Sequence, residues 1–255
     1  RQGLNSAVEQ RRERAVARVR EAAETALLGA NPQPCRQAAA ALPPRLHDPR
    51  EEYLGRPDGA RLTMIEALRA VLHNRLDSDP RVSLYGQDIE DPKGDVFGLT
   101  RGLSTRFAGR VRNAPLSEST IVGTAIGRAL AGGRPVAMLQ FSDFLPLAFN
   151  QICSELSTMY WRTDGGWQCP VIIMAPCGGY RPGLGHFHAQ SFESIAAHLP
   201  GIDVLVPSTA ADAAAGLNAA FESPRPTLFF YPKALLNDRE QTTSSDIARH
   251  LATVS

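Results

Sequence analysis

The apolar positions of this chain follow two regimes that change near residue 60. Over residues 6–28 alanine and charged side chains dominate and the stretch reads as one helix, opened by Ser6 with Glu9 three positions later in capping-box spacing and closed by Gly29 and Pro32. Its mostly charged surface predicts a peripheral helix. Residues 31–57 carry six prolines and few periodic apolar positions, which is the composition of a linker, and the domain boundary is placed near Gly59. Thr63 with Glu66 then predicts a capped amphipathic helix over residues 64–74, with Ile65, Leu68 and Leu72 on one face.

From there apolar runs alternate with helical patterns. Strands are predicted at 82–85, 136–141, 171–175, 204–206 and 227–231, and helices near 99–107, 118–131, 147–161 and 210–221. The strand runs are continuously apolar rather than alternating, so both sheet faces are expected to be buried and the strands parallel. The predicted fold class is α/β, a doubly wound, mainly parallel sheet with helices on both faces, preceded by the peripheral helix and the Pro-rich linker. The predicted spans are a helix in 1–30, a linker in 31–60, a ligand-binding domain in 61–236 and a polar tail or further linker in 237–255. In such sheets ligands sit beyond the carboxyl ends of the strands, so chemistry is expected in the loops after Tyr85, Phe141, Ala175 and Val206.

Composition narrows the function classes. With 255 residues and 43% hydrophobic content there is ample material for a buried core. The 27 basic and 26 acidic side chains leave a formal charge of +1, so no overall field gathers nucleic acid or an anionic membrane surface. No apolar stretch approaches the ~20 residues that span a bilayer. The arginine-rich start contains Glu9, Glu13, Glu21 and Glu24, whereas transit peptides are poor in acids. Cys35, Cys153, Cys169 and Cys177 have no C-x-x-C spacing and suit reduced thiols, and the expected setting is the cytoplasm.

Candidate chemistry concentrates in two places. Glu118 stands at a loop-to-helix junction, where a first-turn acid complementing the helix dipole is the ordinary alternative. Residues 177–191 form a glycine-rich loop that delivers His186 and His188 without any G-x-G-x-x-G or phosphate-loop spacing. No cysteine or carboxylate nearby completes a metal set, so no metal ligand is assigned, and an acid/base histidine is the expectation.

Five stretches carry a family resemblance. They are P-L-S-E-x-x-I-V-G-x-A-I-G-x-A-L-x-G-x-R-P-V from Pro115, Q-F-x-D-F from Gln140, A-F-x-Q-I-x-S-E from Ala148, A-P-x-G-G from Ala175 with H-x-Q-S from His188, and A-H-x-P-G-I-x-V-x-V-P-S-T from Ala197. Over residues 61–236 the chain resembles the β subunit, a transketolase-like pyrimidine-binding domain, of the thiamine-diphosphate-dependent decarboxylase of pyruvate, branched-chain and acetoin 2-oxoacid dehydrogenase complexes.

The resemblance implies a chemistry and its residues. Thiamine diphosphate attacks a 2-oxo acid through its thiazolium ylide, formed when the cofactor's aminopyrimidine shifts to an imino form; a carboxyl group on the pyrimidine nitrogen permits that shift, and Glu118 is the matching residue. Leu116 would offer a backbone contact to the ring, Gln140 would lie beside it, and Phe144 would stack on it. His188 would act on the substrate or on the acyl group in transfer, while His198 would support packing and His47, His73 and His250 would be surface residues. Gly123 and Gly127 admit either a subunit contact or tight packing within the domain.

The same resemblance implies partners. The G-D-G segment that holds Mg²⁺ and the cofactor's phosphates does not occur in this chain, and in the family it belongs to an α-like diphosphate-binding domain or subunit. A second β-like copy and a lipoyl-bearing acyltransferase or other acyl carrier complete the implied set. Residues 19–34 are similar to the closing helix of the α subunit, which implies a fused α–β polypeptide of which this chain is a piece; a nonspecific helix is the alternative.

Departures from the family are Gln87 where an acid is common in G-E-D, Pro146 and Leu147 for an aromatic-proline pair, Asn150 for Asp, and Ala189 for the serine of H-S-Q. They leave open a transketolase-like or biosynthetic acyl transfer with the same cofactor. A noncatalytic assembly subunit is the reading from another class.

Overall fold

The computed structural model describes residues 2–30 and 60–239. The linker expected in 31–60 lies outside the described residues but for its last residue, the tail expected in 237–255 but for its first three, and Cys35, His47 and His250 lie outside as well. The chain divides into two compact units, with the break after residue 39.

The described part of the first unit is α1, Gln2–Leu28. Because it starts at Gln2, Ser6 sits inside the helix and does not cap it, contrary to the expectation; the end at Leu28 ahead of Gly29 agrees.

The second unit begins with α2, Met64–Ser78, whose N-cap Thr63 and third residue Glu66 form the predicted reciprocal capping box. The sheet strands are β1 (Val82–Gly86), β2 (Val111–Asn113), β3 (Arg134–Met138), β4 (Ile172–Cys177), β5 (Asp203–Leu205) and β6 (Thr227–Pro232). They form one six-stranded sheet in the order β2-β1-β3-β4-β6-β5. Every neighbouring pair is parallel.

Alternate strand residues serve two separate cores, which explains the unbroken apolar runs. Val136, Met138, Ile172, Met174, Phe229 and Tyr231 pack on one face with α2 and with α7, Ala210–Glu222. Ala137, Leu139, Ile173, Ala175, Leu228 and Phe230 pack on the other with α4, Glu118–Leu130. Each such leucine, isoleucine or phenylalanine contributes roughly 1.5–3 kcal/mol of burial. At Gly86 the strands come so close that an added Cβ would stand 2.4 Å from the Met138 carbonyl oxygen, so only glycine fits.

Several elements differ from expectation. The helix predicted at 99–107 is only α3, Leu103–Arg106, because Gly98 and Gly102 take φ of +75° and +85° and interrupt any earlier start. The helix predicted at 147–161 is a 3-10 segment Ser142–Ala148 containing Pro146, a π segment Gln151–Leu156 and a short α5, Met159–Arg162. Pro146 lacks the amide a regular helix needs there. The π segment carries Ser157 against the 200–201 turn, where its hydroxyl donates to Pro200 at 2.8 Å and a Cβ on Gly201 would lie 2.6 Å from its carbonyl oxygen. β2 was not expected because only Val111 of its three residues is buried, and the five-residue α6, Glu193–Ala197, is too short for a periodic signal. No described helix is long and apolar enough to cross a membrane.

Candidate functional site

The chain runs from β1 outward to β2 and then returns past β1 to β3, so the sheet order switches between β1 and β3. Loops leaving two strands that diverge there open a crevice, the usual ligand position in this architecture. The residues just beyond these two ends are Gln87 and Asp88 after β1, and Gln140 and Phe141 after β3. Glu118, the first residue of α4 on the crossover from β2 to β3, comes to the same place: the Gln87 Nε2 donates to Glu118 Oε1 at 3.2 Å.

Glu118 is 9% exposed and Gln87 4%. A carboxylate at the start of a 13-residue helix gains from the helix dipole, and the Gln87 amide satisfies one of its oxygens. The second oxygen makes no hydrogen bond among the described residues. Asp88, the next residue, accepts from Gln140 Nε2 at 3.0 Å. Its carboxyl is held below the usual carboxylate range, first by the Lys93 ammonium and then by Gln140. One dipeptide therefore fixes two of the expected site residues. Sequence reading noted Gln87-Asp88 only as a departure from an acidic motif and gave neither residue a task; a polar pair directly after a buried strand at a sheet end was the available signal.

The aromatic side of the crevice is built on Phe141. Its ring meets the Phe144 ring edge-on at 5.8 Å and the His188 imidazole at 4.7 Å, and His188 and Phe144 face each other at 5.9 Å. Phe97 packs on Phe141 at 6.1 Å and on Tyr180 at 5.8 Å. The expected pair Phe144 and His188 is thus brought together, on the 3-10 segment after β3 and the loop after β4. Such edge-to-face contacts contribute about 1 kcal/mol each beyond burial and fix ring orientation.

Leu116 stands in the turn before α4 with its side chain 86% exposed, so what it presents at the site is backbone and an uncovered apolar surface. His186 and His198 are exposed and take no part in the aromatic cluster. The loop after β5 contributes none of these contacts, contrary to expectation. Its place is taken by Lys233 at the end of β6, whose Nζ donates to the His188 carbonyl at 2.6 Å. Nothing in the local sequence marked that lysine, because its role depends on a partner 45 residues away.

The arrangement can hold a flat heteroaromatic group: a carboxylate with one free oxygen, an aromatic wall, and a histidine on that wall. Comparison with known proteins points the same way. The family described as "Transketolase, pyrimidine binding domain" matches residues 60–239. The 2-oxoisovalerate dehydrogenase subunit beta of Bacillus subtilis is 40% identical over 173 residues, covering 68% of this chain and 52% of that protein. The pyruvate dehydrogenase E1 component subunit beta of Leifsonia xyli subsp. xyli is 41% identical over 172 residues, covering 67% and 50%. The chain spans about half the length of these relatives. A solved structure titled "Split gene transketolase, inactive beta4 tetramer" aligns with a TM-score of 0.54 at 24% identity, over 68% of this chain and 51% of that one, a likeness of fold.

Proposed function

The chain belongs to the family of transketolase pyrimidine-binding domains, and from that premise we propose that it is the pyrimidine-holding half of a thiamine-diphosphate-dependent 2-oxoacid dehydrogenase, decarboxylating a 2-oxo acid and passing on the acyl group. The observation that carries this reading is Glu118, buried at the switch point with one oxygen held by Gln87 and the other free. The residues present suit the cofactor: an acid for a ring nitrogen is held beside the end of β1, and an apolar wall for a flat ring follows the adjacent end of β3.

When bound, thiamine diphosphate supplies a carbon nucleophile and an electron sink. Glu118 holds a proton at the pyrimidine ring nitrogen. Gln87 fixes the carboxyl plane so that the free oxygen meets that nitrogen. Phe141 and Phe144 exclude water from the wall on which His188 is seated, and the His188 imidazole gives or takes a proton at the substrate carbonyl or the acyl group. Gln140, turned onto Asp88, would lie beside the ring, and the Leu116 backbone would offer it a contact.

An α-like partner supplies the diphosphate and Mg²⁺ site, and α1 with the Pro-rich linker belongs to the joint with that region. A second β-like copy packs on the α4 face bearing Gly127, where an added Cβ would meet nothing within 4 Å among the described residues. The acyl group goes to a lipoyl arm or another carrier. The three described cysteines, Cys153, Cys169 and Cys177, are free thiols, which accords with a cytoplasmic setting. A second reading keeps the cofactor and changes the acceptor, as in transketolase-like or biosynthetic acyl transfer; Ala189, adjoining His188 where the motif carries a hydroxyl, favours it.

The test is decarboxylation of a panel including pyruvate and 2-oxoisovalerate by the complete assembly. Glu118→Gln is expected to lower turnover at least about 100-fold while the cofactor still binds. Turnover indifferent to Glu118 would leave a noncatalytic assembly subunit as the account.

A further inference from the structure

His188 belongs to a loop with two distinct parts. From Tyr180 to His188 the backbone forms only turns, with no helix or strand, three glycines at 178, 183 and 185 take positive φ, and Phe187 is 67% exposed. The next two residues are bound on every side. The Asp143 Oδ1 accepts from the amides of both Ala189 and Gln190 at 3.1 Å. The Gln190 carbonyl accepts from the Ser142 hydroxyl at 2.9 Å and from the Gly178 amide at 3.0 Å, closing the loop at its base.

Lys233 completes this anchor from below. It is 4% exposed, unusual for a lysine, and its Nζ donates to the His188 carbonyl at 2.6 Å while lying 4.8 Å from the Phe141 ring centre. One ammonium therefore holds both the backbone of His188 and the ring against which its imidazole is seated. Burial lowers the Lys233 pKa, and the charges of Asp143 and Cys177 pull it back up. The Asp143 Oδ2 is buried without a hydrogen-bond partner, an uncompensated cost that persists only where the surroundings hold the carboxylate in place.

We propose that Lys233 and Asp143 are positioning residues for His188, fixing the backbone of residues 188–190 to the ends of β3 and β6 so that the imidazole stays on the aromatic wall while the glycine-rich tip is left free to meet substrate. The inference rests on the decarboxylase reading only in giving His188 a chemical task. The anchor itself is a statement about this chain.

The test uses the complete assembly with Lys233→Met, which keeps the length of the side chain and removes the donor. Turnover is expected to fall about tenfold, the loss of one charge-assisted hydrogen bond, with KM for the 2-oxo acid within about twofold. Carbethoxylation of His188, read by peptide mass spectrometry, should accelerate by a similar factor while that of His186 stays unchanged. Unaltered turnover and His188 modification with only a lower melting temperature would overturn the proposal. Asp143→Leu, which removes the acceptor oxygens at similar volume, should release His188 in the same way. Should neither variant assemble, hydrogen exchange of the unaltered protein decides: the amides of Ala189 and Gln190 are expected to exchange at least about 100-fold more slowly than those of 181–187, and equal rates would refute the anchor. If the unaltered assembly decarboxylates no 2-oxo acid, the functional reading fails, yet modification and exchange rates still decide the anchor.

Discussion

In the proposed function, Glu118 is a single carboxylate with one oxygen held and the other left for the cofactor. A buried acid that keeps one oxygen free needs the other held, and Gln87 does this with a neutral amide rather than a second acid. An amide at 3.2 Å donates a hydrogen bond without competing for a proton, whereas two carboxylates at that distance would share one. Gln87→Met should leave the buried oxygen without a donor and lower turnover of the assembled enzyme about tenfold or more, the usual cost of an unpaired buried polar atom. Steady-state kinetics beside a cofactor titration check it: turnover falls and cofactor affinity changes little. Glu118, Phe144 and His188 were legible as candidates from their motifs, because the residue types and spacings are specific. Gln87, Asp143 and Lys233 were not. Their tasks arise from contacts across 31, 46 or 47, and 45 positions, which no local pattern encodes.

Among the elements, the segment between β1 and β2 sets how firmly Gln87 and Asp88 are held. Asp91 ties it down: its carboxylate accepts from the Gly102 amide at 2.7 Å, from the Thr105 hydroxyl at 2.7 Å and amide at 3.0 Å, and from the Ser104 hydroxyl at 2.8 Å. These donors, the Gly102 amide first, hold its carboxyl far below the usual carboxylate range. A depressed folded pKa stabilises the fold fully above the unfolded value, about 3.9, and that stabilisation is lost as pH falls below it. Asp91→Asn is therefore expected to cost about 1 kcal/mol at pH 7, with the difference from the unaltered protein narrowing steadily below about pH 4. Urea midpoints of both proteins between pH 7 and pH 3 check it, and a pH-independent gap would contradict it. Sequence reading recovered the strands of the sheet centre because double burial makes them continuously apolar. It lost the 147–161 helix because α, 3-10 and π turns place apolar residues on similar faces, and the fit of Ser157 against Gly201 that separates them is a contact across more than 40 positions.

The second unit is built on a parallel sheet whose order reverses between β1 and β3, and the proposed site is placed there by that topology. β1 and β3 are adjacent but their chains leave in different directions, so Gln87 and Gln140 follow neighbouring strand ends, and the crossover from β2 to β3 brings Glu118 within hydrogen-bond reach of Gln87. The fold class was legible in the sequence, since apolar continuity implies two covered faces and two covered faces imply crossover helices, and the strand-end position proposed for the site follows from that class. The part that was not legible is the contribution of β6, whose end replaces that of β5 at the site through Lys233. The measurement that meets the central claim most directly is the exchange rate of the thiamine C2 proton with solvent deuterium in the complete assembly, followed by quenching and NMR. Unaltered protein is expected to exchange that proton at least about 100-fold faster than Glu118→Gln at equal cofactor occupancy, with His188→Ala close to the unaltered rate. Equal exchange rates in the unaltered protein and Glu118→Gln would contradict the assignment of Glu118 as the acid on the pyrimidine ring.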